Sequence, residues 1–322
     1  MSENAGERIL TALVGPQAEA RQAVTPIENA VNLRIGNVCC AFQCKDAGDY
    51  RKLIKLMKLY RGFLTREPAD IVIELEGTDH LSQGDLNKVI PESEYFHEEN
   101  IFRSTGQVAS GTYDIERGYI KITGERGLAN PDMEGNHLNQ LFSLAYYSAC
   151  KRKYQGHPPA MIMHACGIIR SGWALLFTGP SEAGKTTIAK LCRRRDGEVI
   201  NDEMLLVSRP DDSSSVTVQS APLLGKVYSP KRIAAPLRCI FLLKKGSQTT
   251  VRDMDRTEAY LRMMRQIITP AYIGQKDKRA VLSLMTEFSD ELTRAVPVYE
   301  LEFSLNKDLL WRVVGELENR KN

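Results

Sequence analysis

The run Leu175 to Cys192, LLFTGPSEAGKTTIAKLC, is the stretch of this chain whose residue types and spacing state a chemistry. It reads as an apolar strand, then Gly179-Pro180-Ser181-Glu182-Ala183-Gly184-Lys185-Thr186, then a helix that continues through Thr187. This is the G-x-x-x-x-G-K-[ST] phosphate loop, set between the strand and helix that such a loop requires. Its glycines let the backbone wrap closely enough for successive N–H groups to converge on phosphate oxygens. Lys185 can reach the β- and γ-phosphates and the Thr186 hydroxyl can ligate Mg²⁺, so residues 179–187 are the expected nucleotide-binding segment, with ATP and Mg²⁺ as its cofactors.

A phosphate loop specifies a nucleotide and leaves the reaction open. The other half of such a site is an acidic residue at the end of a neighbouring strand. Gly197-Glu198-Val199-Ile200-Asn201-Asp202-Glu203 supplies one, with Asp202 lying 17 residues beyond Lys185, room for one short helix and one strand. Asp202 and Glu203 would then face the γ-phosphate side of the loop. His164 stands on the strand before the phosphate-loop strand; by itself, a histidine on an apolar strand is more often a core residue than a catalytic one.

Together these segments resemble the catalytic core of the HPr serine kinase/phosphorylase superfamily, whose fold is related to that of phosphoenolpyruvate carboxykinase. The likeness rests on His164-Ala165, then Gly172-x-Ala174-Leu175-Leu176-Phe177-x-Gly179-x-Ser181-x-Ala183-Gly184-Lys185-Thr186, then Asn201-Asp202-Glu203. It continues through Ala221-Pro222-Leu223-Leu224-Gly225-Lys226 and Ala235-Pro236-Leu237-Arg238-Cys239-Ile240-Phe241-Leu242-Leu243, so it spans roughly Met161 to Leu243. The resemblance implies that Lys185 binds phosphates and that Thr186, Asp202 and Glu203 lie at the metal. It also implies that Asp202 accepts the proton of a substrate hydroxyl and that His164 stands near the transferred phosphate. Three departures bear on the substrate. Glu182 and Glu203 replace a frequent Gly and a second Asp, and the E-x-R-G signature that follows the acidic pair in authentic HPr kinases is absent. The implied activity is therefore phosphoryl transfer to another hydroxyl, on a protein, a peptide or a small molecule. A nucleotide-binding regulator that hydrolyses slowly or not at all is the alternative. The absence of S-G-G-Q and N-K-x-D motifs argues against an ABC-type ATPase and a GTPase.

Elsewhere the 322 residues carry ordinary globular proportions, 43% hydrophobic and 26% charged. A net charge of +3 gives no argument for a nucleic-acid partner. Lys151-Arg152-Lys153 and Arg193-Arg194-Arg195 read as solvated helix ends. No apolar run approaches a membrane span, the N-terminus lacks a signal peptide's pattern, and seven cysteines without finger spacing suggest reduced thiols. A cytoplasmic protein without a membrane partner is expected, with room for a homo-oligomer. Cys39, Cys40 and Cys44 read as small apolar strand residues.

The elements that would position the site follow from periodicity. Residues 1–30 carry little pattern beyond one short helix. Val31 to Phe42 reads as a strand, Asp46 to Thr65 as an amphipathic helix, Ala69 to Leu75 as a strand, residues 76–133 as an antiparallel meander, and Gly135 to Tyr154 as a helix. Gly156-His157-Pro158-Pro159 breaks the chain and marks the boundary between an α+β N-terminal region (1–156) and a nucleotide-binding domain (157–322). The second region starts with a hairpin, Met161 to Ile169 and Trp173 to Thr178, turning at Arg170-Ser171-Gly172. Strands at Glu198 to Ile200, Met204 to Val207, Arg238 to Leu243 and Val298 to Phe303 follow, with helices at Arg256 to Gln266, Arg279 to Arg294 and from Lys307. The expected fold class is α/β: a phosphate-loop, HPr kinase-like (carboxykinase-like) mixed sheet with flanking helices.

Overall fold

The computed structural model describes residues 29–78, 96–98, 101–104, 109–114, 117–125, 135–192, 196–209, 215–226, 231–269 and 278–318. The short helix expected before residue 29, part of the 76–133 meander and the triple-arginine run lie outside the described residues. The architecture is mixed α/β, with mixed sheets and flanking helices. The chain divides into two units; the described residues of one are 29–159, 269 and 278–283, and those of the other 160–268 and 284–318.

In the first unit a seven-stranded sheet has the order β1-β2-β3-β7-β6-β5-β4. Its strands are β1 (Ala30–Ile35), β2 (Val38–Cys44), β3 (Ile71–Thr78), β4 (Phe96–Glu98), β5 (Ile101–Ser104), β6 (Ala109–Asp114) and β7 (Tyr119–Glu125). The expected single strand over Val31 to Phe42 is a hairpin instead, β1 against β2. Gly36, at φ 59°, supplies the positive φ that a two-residue turn needs, and an uninterrupted apolar pattern conceals it. The β2–β3 and β3–β7 pairs are parallel, while β7, β6, β5 and β4 pair antiparallel in succession.

Helices α1 (Ala47–Met57) and α2 (Gly135–Lys153) pack on this sheet, where Phe142 meets Phe42 and Tyr60 edge-on at 5.4 and 5.0 Å. Asp46 caps α1, accepting from the Gly48 and Asp49 amides at 2.7 and 2.9 Å. The helix expected through Thr65 tightens into a 3₁₀ segment over Lys58–Phe63. Leu53, Leu56, Met57, Tyr60 and Phe63 are buried, whereas Ile54 and Leu64 are exposed, so one buried face continues from the α-helix into the 3₁₀ segment. Lys151-Arg152-Lys153 also corrects the expectation of a solvated end. Arg152 is buried and donates to the Asp70 carbonyl at 2.9 Å, and Lys153 Nζ reaches the Asp70 carboxylate at 3.1 Å.

The second unit holds a nine-stranded sheet of β8 (Ala160–Arg170), β9 (Trp173–Thr178), β10 (Glu198–Asn201), β11 (Met204–Ser208), β12 (Thr217–Gln219), β13 (Ala234–Lys245), β14 (Thr250–Asp253), β15 (Ile267–Ile268) and β16 (Val298–Phe303). Ser171 (φ 51°) and Gly172 (φ 82°) form the left-handed turn of the β8–β9 hairpin. β9 and β16 both lie parallel to β13. Helices α3 (Lys185–Leu191), α4 (Arg256–Met264), α5 (Lys278–Ala295, from residue 284 in this unit) and α6 (Lys307–Glu318) complete it. β13 is longer than the expected Arg238 to Leu243, because its first residues pair with β12 and its last with β9 and β16.

The core of this unit lies behind β9. Phe177 stacks on Phe241 at 5.1 Å and meets Trp311 of α6 edge-on at 6.2 Å, with Ile188, Ala189, Val314 and Leu310 around them. The Trp311 indole donates to the Leu191 carbonyl at 3.3 Å, tying α6 to the last residue of α3. Phe241 is fully buried, so Phe241→Ala removes a ring from a packed aromatic cluster. The expected loss is about 3–5 kcal/mol of unfolding free energy, read from denaturant melts; a loss under ~1 kcal/mol would contradict this core.

Candidate functional site

The site grows from one long pairing. Met204↔His164, Leu205↔Met163 and onward to Ser208↔Ala160 run in the same register sense as Asn201↔Gly167, Val199↔Ile168 and Glu198↔Ile169. β10 and β11 are thus two halves of one antiparallel run along β8, with a one-residue register shift between Val199 and Asn201 and an interruption at Asp202-Glu203. The Ala165 amide donates to the Glu203 carbonyl at 3.1 Å, which keeps the interruption against β8. Asn201 shapes it: its Oδ1 accepts from the Glu203 and Met204 amides at 2.8 and 3.3 Å, and its Nδ2 donates to the Leu223 carbonyl at 2.7 Å. This side-chain-to-backbone turn is the one asparagine favours, and it breaks the strand where two carboxylates follow.

On the other edge of β8, β9 ends at Thr178, paired with Ala165, and the phosphate loop leaves from there. The Thr178 hydroxyl donates to the His164 carbonyl at 2.7 Å, and the His164 amide to the Gln266 carbonyl at 2.8 Å. His164 therefore sits between the root of the loop and the acidic corner. Its Nε2 lies 3.4 Å from Glu203 Oε1, and Lys226 Nζ lies 3.5 Å from Glu203 Oε2. Burial pushes the Glu203 carboxyl up, but the hydrogen bond and charge of His164, with Lys226 and Lys185, outweigh it and hold the group below the ordinary glutamate range.

The loop is tightly folded. Gly184 has φ 111°, and a Cβ there would fall 2.5 Å from the Phe303 ring at the end of β16. A Cβ on Gly179 would meet Ala183 Cβ at 3.0 Å. The Ala183 amide donates to the Pro180 carbonyl at 3.1 Å, and Glu182 adopts φ 63°. Lys185 is only 6% exposed and turns back onto the loop, donating to the Gly179 and Pro180 carbonyls at 2.8 and 3.0 Å. Burial lowers its pKa, opposed by Glu203. Two of its three protons are thus taken by main-chain oxygens, contacts that a phosphate oxygen can replace.

Of the residues expected at the site, His164 and Glu203 are in contact, and Lys185 acts on Glu203 electrostatically. Ser181 and Glu182 are exposed, and Thr186 and Thr187 are half-buried at the start of α3. Asp202 is 0% exposed; it is near enough to Cys166 to raise that thiol's pKa further, after burial has done most of the work. Asn201 and Lys226 are the site residues that sequence reasoning missed. An asparagine directly before two acids is a turn signal that could have flagged the first; Lys226 is brought in only by the fold. Among the described residues no group of three or more His, Cys, Asp and Glu converges as a metal cluster. A cation here would rely on the Thr186 hydroxyl, the corner carboxylates and ligand oxygens, a hard-oxygen set of the kind Mg²⁺ takes. Cys39, Cys40 and Cys44 are buried free thiols, with burial raising Cys39 to about 11 and Cys44 to about 12.

The Glu203 pairing has a pH signature. A carboxyl held below its unfolded value contributes stability that is present above that value and is lost as pH falls through the folded one. The stability difference between the parent and Glu203→Gln should therefore shrink as pH falls below about 4.5, followed by melts over pH 3–5. A difference that does not change across that range would mean the pairing is absent. Gly184→Ala should destabilise by ~1–3 kcal/mol in the same melts, because a Cβ at positive φ also strikes Phe303.

No helix among the described residues is long and apolar enough to cross a membrane. No curated protein matches the chain. The family described as SynChlorMet cassette protein ScmC matches residues 128–317, more than half of the sequence and all of the loop, the histidine strand and the acidic corner. The chain therefore belongs to the SynChlorMet cassette protein ScmC family.

Proposed function

We propose that this protein is an ATP- and Mg²⁺-dependent phosphotransferase of the HPr kinase-like type, acting on a hydroxyl of a protein, peptide or small molecule. The observation that carries the reading is the meeting of the Lys185 loop with His164 and Glu203 beside the carboxyl end of β9. In open α/β sheets, ligands bind outside the carboxyl ends of the parallel strands, and here β9, β13 and β16 share that end.

Bound nucleotide and metal would supply the transferable phosphoryl group. On this reading, Lys185 exchanges its two carbonyl partners for phosphate oxygens. Residues 179–187 hold the phosphates with main-chain N–H groups, and Thr186 with Glu203 would hold the metal. Glu203 is shared between His164 and Lys226, so it must release one of them to do so. His164 keeps the carboxylate beside the loop and stands where the transferred phosphate would pass. Asp202 takes the proton of the acceptor hydroxyl. Such a transfer needs mainly positioning and charge stabilisation with one base, and the chain has residues for each role.

The complete burial of Asp202 favours a second reading, a nucleotide-binding regulator in which that carboxylate supports the corner and never meets a substrate. Incubation with γ-labelled ATP and a lysate or metabolite pool separates the two. Under the kinase reading an acceptor becomes labelled, and Asp202→Asn keeps ATP binding while transfer falls by roughly 10²- to 10⁴-fold. No labelled acceptor, with unchanged binding in Asp202→Asn, would leave the regulator. Lys185→Ala should weaken ATP binding under either reading; binding as tight as the parent's would remove the phosphate-loop assignment altogether.

A further inference from the structure

We propose that the outer face of α1 and of the 3₁₀ segment after it docks an acidic amphipathic helix of a partner protein. This surface belongs to the first unit and stands whether or not the nucleotide reading does. From Arg51 to Arg66 the chain has six cations, Arg51, Lys52, Lys55, Lys58, Arg61 and Arg66, and no acidic residue. The whole chain has a formal charge of only +3, so the remainder is net negative and positive charge is concentrated here. All six residues are exposed. Lys52 pairs with Asp49 at 2.9 Å; among the described residues no ion pair engages the other five.

Spacing gives these charges a direction. Arg51, Ile54, Lys55 and Lys58 follow at three- and four-residue steps, on the side of α1 opposite the buried Leu53, Leu56 and Met57. Arg61 comes three residues further, and in 3₁₀ winding such positions eclipse, so the stripe extends for about 16 Å. Ile54, Leu59 and Leu64, at 39%, 52% and 45% exposure, put aliphatic surface beside it. Like charges at these steps lower a helix's own stability. Other exposed helices balance theirs: Glu258 pairs with Arg262 on α4, and Asp290 of α5 with Arg256 and Arg294. The α1 stripe has no such internal balance.

Acidic residues at three- and four-residue steps of a partner helix recur about every 5–6 Å, which matches the spacing of these cations. Apolar residues flanking those acids would meet Ile54 and Leu59. A bilayer fits less well, because a helix lying in one buries its apolar face, and that face of α1 is already in the core. A single-stranded nucleic acid also fits less well, since its bases stack on accessible rings, and Tyr60 and Phe63 are buried.

The test is fluorescence anisotropy with a labelled synthetic helix that carries Glu at three- and four-residue steps with Leu beside them, against a copy with Gln for Glu. The parent should bind the Glu peptide about tenfold more tightly than the Gln copy, and ~0.5 M salt should remove most of the difference. Lys55→Gln combined with Lys58→Gln should weaken binding by about threefold to tenfold. Ile54→Ser combined with Leu59→Ser should weaken it too, with the salt dependence unchanged. All four positions are exposed, so melting temperatures should stay within a few degrees of the parent's. Arg312→Gln, which removes an exposed cation of α6, should leave binding as it is. Equal binding of the two peptides, or a loss in Arg312→Gln as large as in the double lysine variant, would overturn the proposal. Tighter binding to phosphatidylserine vesicles or to a single-stranded oligonucleotide than to the Glu peptide, lost in that same variant, would overturn it in favour of a lipid surface or a nucleic acid.

Discussion

The second unit depends on one interrupted strand pairing. Residues 198–208 run antiparallel to β8 over its whole length, and Asn201 breaks that run by accepting two main-chain amides in place of the sheet. An unbroken pairing would give Asp202 and Glu203 ordinary ladder positions. The break instead leaves the Glu203 carbonyl bonded to Ala165 and frees the side chain to reach His164. Because β9 ends on the opposite edge of β8 at the same level, the loop and the carboxylates converge on one histidine. The Thr178–His164 and His164–Gln266 hydrogen bonds fix that level along the β9 edge of β8.

Support for the loop comes from the aromatic layer behind it. Phe177 and Phe241 stack across adjacent parallel strands, and Trp311 closes over Phe177 while its indole holds the end of α3. Phe303, at the end of β16, fills the space beside Gly184, which is why that glycine has no room for a Cβ as well as the wrong φ for one. A short helix is a weak structure by itself. Here packing of Ile188 and Ala189 into the core supplies what its length does not.

Charge gives the site a character that the loop motif does not convey. A phosphate loop is usually discussed as an anion trap, yet here Lys185 is engaged by carbonyls, and Glu203 is balanced between His164 and Lys226. These contacts join the loop, β8 and the corner after β10, and in the first unit Lys153, Asp70 and the Cys39 amide form another such contact in and beside the sheet.

Local chemistry was legible in the sequence wherever short-range rules decide the outcome. The glycine turn from β9 into α3, the Ser171-Gly172 hairpin, the described strands of the meander and the helices from Gly135 and Lys307 depend on glycine geometry, turn residues and periodicity within a few positions. The split of Val31 to Phe42 was in principle readable from Gly36, but a continuous apolar pattern masked it. The switch to 3₁₀ winding at Lys58 and the burial of Arg152 depend on which partners lie opposite, and sequence spacing does not contain that information. At the site, the sequence determined the residues and the order in which they come: histidine, loop, acidic pair. Tertiary structure decided that Glu203, rather than Asp202, is the carboxylate in contact with His164, that Lys226 joins them, and that Asp202 is enclosed. The physical reason is that side-chain direction at a broken strand is set by the hydrogen bonds that replace the ladder, and those come from residues distant in the chain as well as from Asn201 beside them.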